Sequence, residues 1–124
     1  MFTFKSPAIN TNIWSLCFKP KDEMTKIFYE DRTPEEGVRI FGVTEYATST
    51  IYIDKELDGF PLVKTLRHEL AHVYLWETGN QGHTYEEEEV VDFMSVAGPA
   101  ICKTTDEIIL RLKEGLYKHG EQAR

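Results

Sequence analysis

A chain of 124 residues is long enough for one modest hydrophobic core and too short for two, so one domain with a single site is expected. Its net charge of −7, with Lys and Arg scattered, argues against a nucleic-acid partner, because phosphate contact needs clustered cations. No segment approaches the apolar length that spans a bilayer, and Asn10, Thr11 and Asn12 interrupt any leader-like run near the N-terminus, which predicts a soluble, cytoplasmic protein without a membrane partner.

The first half is rich in β-branched and aromatic residues. Residues 12–18, 38–44 and 50–54 read as strands, with 45–49 joining the last two as a hairpin. Cys17, in the first of these, and Cys102, far along the chain, read as buried free thiols of a reducing compartment. Residues 21–32 fit either a short helix, through Glu23, Met24, Ile27 and Phe28, or a strand. Asp58, Gly59 and Pro61 then start a helix in which Leu62, Leu66, Leu70 and Val73 recur at helical spacing, and Gly79 stops it. A second helix is predicted from near Thr84, with Val90, Met94, Ala97 and Ile101 as its apolar stripe and Pro99 bending its last turn. Thr104 and Glu107 form a capping-box pattern for a third, with Ile108, Ile109, Leu112 and Leu116 on its apolar side and Gly120 at its end. The predicted fold is α+β: a small N-terminal twisted sheet packed on a C-terminal layer of about three helices, in the manner of a minimal zincin.

The segment His68-Glu69-Leu70-Ala71-His72 carries the chemistry. Four residues advance a helix by little more than one turn, so both imidazoles project from one side and can share an ion at about 2.0–2.1 Å from each nitrogen. A catalytic zinc takes three protein ligands and leaves one position for water, and Glu69 is placed to accept that water's proton. For the third ligand the acidic run Glu86–Glu89, His83 and Asp92 are candidates. Asp92 interrupts the apolar run from Val90 to Met94, where a buried acid needs a partner. Glu88, four residues earlier on the same face, can then reach the metal while Asp92 accepts the free ring N–H of a ligating histidine. The metal set is thus His68, His72 and Glu88. Glu86, Glu87 and Glu89 have a simpler reading as solvated acids at a helix start. His83 and Tyr85 are candidates for stabilising negative charge in the transition state.

The motif, followed by Glu88 and Asp92 in an ExxxD-like arrangement, resembles the ImmA/IrrE-type metallopeptidases, particularly short forms from phages and other mobile elements. Gly42-Val43-Thr44, residues 50–54 and Thr65-Leu66 are similar to the family's hairpin and its lead into the active-site helix, and the likeness spans residues 38–101. It implies zinc on His68, His72 and Glu88, with Glu69 as general base. Val91-Asp92-Phe93-Met94-Ser95 departs from the family's usual Ala-Asn/Asp and Phe-Ala pattern. A third-histidine zincin of the SprT-like kind would promote His83, whereas Leu75 and Thr78 replace the glycine and histidine that a metzincin requires.

These readings lead to a zinc endopeptidase acting on a protein, with a regulator of a mobile element as the substrate the resemblance implies. A strand such as 50–54 would hold the extended peptide. The competing reading is a metal-stabilised binding module without hydrolytic activity.

Overall fold

Alternating large apolar residues build one face of a sheet. The computed structural model describes residues 2–80, 82 and 84–123, with side chains through residue 115. Strand β1 (Phe2–Lys5), which the sequence analysis did not anticipate, pairs antiparallel with β2 (Ile13–Lys19), setting Phe4 opposite Trp14 and Phe2 opposite Leu16. β2 runs parallel to β4 (Thr50–Asp54), with Leu16 against Ile51 and Phe18 against Ile53. β3 (Gly42–Glu45) closes the hairpin on β4, giving a mixed sheet of order β1-β2-β4-β3.

A parallel pair needs a crossover, and residues 20–49 supply it. Within them the ambiguous segment is helix α1 (Lys21–Tyr29), entered from Pro20 and closed at Glu30, which has φ 52. Its buried Met24 and Tyr29 pack with Ile40, Val43 and Tyr52 on the sheet face away from the main core. Burial there, with the charge of Glu45 and Cys17 adding, pushes the Tyr52 phenol above its ordinary pKa. The strand expected from residue 38 begins only at Gly42. Val38 and Phe41 are exposed, and Arg39 turns to Asp54, a fully buried carboxylate that accepts its Nε–H at 2.9 Å and the Glu56 N–H at 2.9 Å. Hydrogen bonds to Asp54 and then Glu56 hold the Arg39 guanidinium above its usual pKa.

Helix α2 (Gly59–Glu77) buries Leu66, Leu70 and Val73 completely against the sheet. Thr78 bonds back to the Tyr74 carbonyl at 2.8 Å, and Gly79, with φ 73, turns the chain away. The Glu77 carboxylate accepts the Trp14 indole N–H and an Asn12 amide N–H, each at 2.8 Å, tying the end of α2 to β2.

The two further helices expected from the sequence are one, α3 (Glu87–Ala123), continuous through Pro99. Thr104, expected to cap a new helix, is buried inside this one, and the neighbouring Thr105 hydroxyl donates to the Ile101 carbonyl at 2.7 Å. Tertiary packing overrides the local stop signals here: Ala97, Ile101 and Ile108 on both sides of Pro99 belong to one core with Phe4, Trp14, Leu16, Ile51 and Ile53. The fold is α+β, but the helices cover both faces of the sheet, α2 and α3 on one and α1 on the other, in place of the expected single C-terminal layer. Among the described residues no helix is long and apolar enough to cross a membrane. Cys17 and Cys102 are free and half-buried, not fully buried as expected.

Candidate metal centre

Helical spacing in α2 sends Leu66, Leu70 and Val73 into the core and leaves His68 and His72 on the opposite side, their ring centroids 5.0 Å apart. Ligand atoms of His68, Glu69 and His72 all lie within 4.8 Å of one another, and this is the one such group of three among the described residues. Two imidazoles and a carboxylate are donors that suit zinc. His68 is exposed, so its ring has room to turn toward the N–N separation of about 3.3 Å between two ligands of one tetrahedral ion.

Glu69 differs from the two histidines in being buried, at 5 % exposure. The reason is β3, which passes directly over it. An added Cβ on Gly42 would lie 2.9 Å from Glu69 Cγ, Glu69 Oε2 and Thr65 Cγ2, so only glycine lets the strand come this close. The Thr44 hydroxyl donates to Glu69 Oε1 at 2.9 Å. Oε2 is left against Gly42 and 3.9 Å from His68 Nε2, the carboxylate oxygen nearest the histidine. Gly42, Val43, Thr44 and Tyr46 join the two histidines, Glu69 and Phe28 around a cavity of about 240 Å³. Tyr46 stacks on Trp76 with centroids 4.6 Å apart. Thr44 and Tyr46 had no role assigned from the sequence; the one signal for them was their place in a hairpin leading to the motif helix.

The remaining sequence-derived site residues stand elsewhere. Glu88 and Asp92 are both exposed and outside the histidine group, which corrects the argument that Asp92 must be buried and partnered. The cause is the phase of α3. Phe93 packs edge-on against Tyr74, with centroids 5.7 Å apart, while Val90 and Met94, expected to be core, are 43 % and 66 % exposed. Five residues before Phe93, Glu88 is turned about 140° from that inward direction, whereas Glu89 is turned only about 40°. Glu89 and Asp92 accordingly line a cleft between α2 and α3 with Tyr74, Leu75 and Thr78. Tyr85 lines the same cleft, and its hydroxyl donates to the Asn80 carbonyl, so it does not face the histidine cavity. His83 lies outside the described residues.

The peptide-binding strand also needs correction. β4 is interior, bonded to β2 on one side and β3 on the other, so it has no edge to offer. β3 ends the sheet beside the cavity and has the open edge.

Fold and site together define an α+β chain with an HExxH helix under an edge strand. No known family's sequence model, no curated protein and no solved structure matches it.

Proposed function

We propose that this chain is a zinc-dependent endopeptidase of the HExxH class. The observation that carries the reading is the buried Glu69 carboxylate, one oxygen held by Thr44 at 2.9 Å and the other beside His68, in a cavity shared with His72. A carboxylate fixed in this way beside the two histidines is oriented to take a proton from water during hydrolysis. His68 and His72 would hold the ion. For the third ligand we propose Glu89, which lines the cleft between α3 and α2 where Glu88 does not; like Glu88 it is exposed and stands outside the histidine group in this structure.

When bound, such an ion acidifies water and polarises a carbonyl oxygen. The chain's own groups do the rest. Glu69 Oε2 takes the proton of the attacking water as the C–O bond forms, then passes it to the amide nitrogen as the C–N bond breaks. Thr44 keeps Oε1 from rotating into that place. The open edge of β3 supplies backbone N–H and C=O groups that hold an extended peptide across the cavity. The resemblance to ImmA/IrrE-type enzymes supports a regulatory protein of a mobile element as substrate, and the free thiols support a cytoplasmic site of action.

The test uses zinc-loaded protein and a proteome-derived peptide library read by mass spectrometry. Wild type is expected to cut, and Glu69→Gln to bind the same zinc without cutting. Equal cleavage by both, or no stoichiometric zinc on wild type, overturns the proposal.

A further inference from the structure

The histidine cavity does not end at Glu69. A second cavity, about 500 Å³, shares Gly42, His68 and Glu69 with it and continues along the first turns of α2. Its far walls are Phe41, Leu57, Phe60 and Pro61. Phe60 is 69 % exposed and Phe41 44 %, so two large aromatic rings stand in water within one continuous space that also holds the candidate base. Exposed aromatic area of this kind is stabilised when a ligand covers it.

The backbone that carries each ring is held in place. The Phe41 carbonyl accepts the Asp54 N–H at 2.9 Å, and the Arg39 guanidinium lies over the ring, 5.5 Å from its centroid. Phe60 sits in the first turn of α2, carried by a helix whose core face is anchored through Leu66.

We propose that this cavity receives a large apolar side chain, Leu, Met or Phe, of the substrate residue next to the cleaved bond. The inference rests on the peptidase reading and names the class of sequence it acts on. A peptide added to the edge of β3 alternates its side chains between the two sheet faces, and every second one points to the α2 side, where Thr44 and Gly42 also point. On that side the space between Phe41 and Phe60 adjoins the histidine cavity through Gly42, His68 and Glu69. Charge gives neither sign an advantage. Lys64, the one lysine or arginine lining the cavity, repels a basic side chain but attracts an acidic one, and the Glu69 carboxylate does the reverse. A charged side chain of either sign would lose hydration against the aromatic walls.

Two measurements test this separately from the peptidase reading. In the peptide-library digest by zinc-loaded wild type, Leu, Met and Phe are expected to be enriched on one side of the cut. Phe60→Ser, a change at an exposed ring, is expected to reduce that preference about tenfold. Cleavage with no apolar preference, or a preference unaltered by Phe60→Ser, overturns the pocket and leaves the peptidase reading standing. In parallel, backbone amide NMR shifts are followed with N-acetyl-leucinamide, N-acetyl-phenylalaninamide and N-acetyl-lysinamide as probes. The two apolar amides are expected to move the signals of Phe41, Leu57, Phe60 and Lys64, and the lysine amide to leave them in place. Equal shifts from all three, or none at those residues, overturns the pocket even if no peptide is cut; selective shifts without cleavage support the pocket and count against the peptidase.

Discussion

At the residue scale the chemistry depends on how Glu69 is held. Its Oε1 is an acceptor in a buried carboxylate, and Thr44 is the side chain that reaches it. Thr44→Val keeps the shape and removes the hydroxyl, which costs about 1 kcal/mol of stability and frees the carboxylate to rotate. The expected result is a roughly tenfold lower kcat with KM and zinc content nearly unchanged, and recovery in Thr44→Ser. A merely structural role would lower the melting temperature without that split or that rescue. Gly42 acts through space. Gly42→Ala must push Glu69 or Thr65 aside, since the new carbon would sit 2.9 Å from both. A loss of about 1–3 kcal/mol by denaturant unfolding is expected, together with reduced turnover. A fully active, equally stable Gly42→Ala protein would show that β3 is not so closely seated.

At the scale of elements, the phase of α3 bears on which glutamate would serve the proposed metal. Phe93, Ala97, Ile101 and Ile108 turn inward along one stripe of this helix, and Glu89, one turn before Phe93, lines the cleft against α2 where Glu88 does not, both side chains being exposed. Zinc stoichiometry measured by elemental analysis is expected to fall in Glu89→Ala and to hold in Glu88→Ala; the reverse pattern would overturn Glu89 and return the third ligand to Glu88. Both helix and strand contributions to the site were half-legible. Helical spacing placed His68 and His72 together, because periodicity within one helix is local. The rotation of α3 could not be read from Val90, Asp92 and Met94, because an exposed Val or Met looks the same in sequence as a buried one. It took the contact of Phe93 with Tyr74 to set it.

For the molecule as a whole, the core joins both helices of one face to the sheet without using His68 or His72. Folding is therefore expected to survive loss of the ion. A chelator should abolish cleavage while far-UV circular dichroism stays near its starting value, the melting temperature falling only by the linkage contribution of bound zinc. Collapse of the helical signal on chelation would assign the metal a structural role. The layout of the fold follows a similar division. Alternation in 12–18 and 50–54 and the 3.6-residue pattern of 59–77 were enough to find strands and helix, since each reports which side of a short segment meets the core. The motif His68 to His72 and the base proposed within it belong to the same category, all within one and a half turns of α2. Other features depended on contacts between distant segments. β1 had too short a pattern to stand alone and exists by pairing Phe4 with Trp14; the helix break expected at Pro99 and Thr104 is suppressed by packing on both sides of it. Sheet order made β3 and not β4 the open edge, and that strand brings Thr44, 25 residues away in sequence, to Glu69. Local spacing could name the candidate metal-binding pair, but the partners that orient Glu69 and border the cavity come from long-range packing, which no short stretch of sequence encodes by itself.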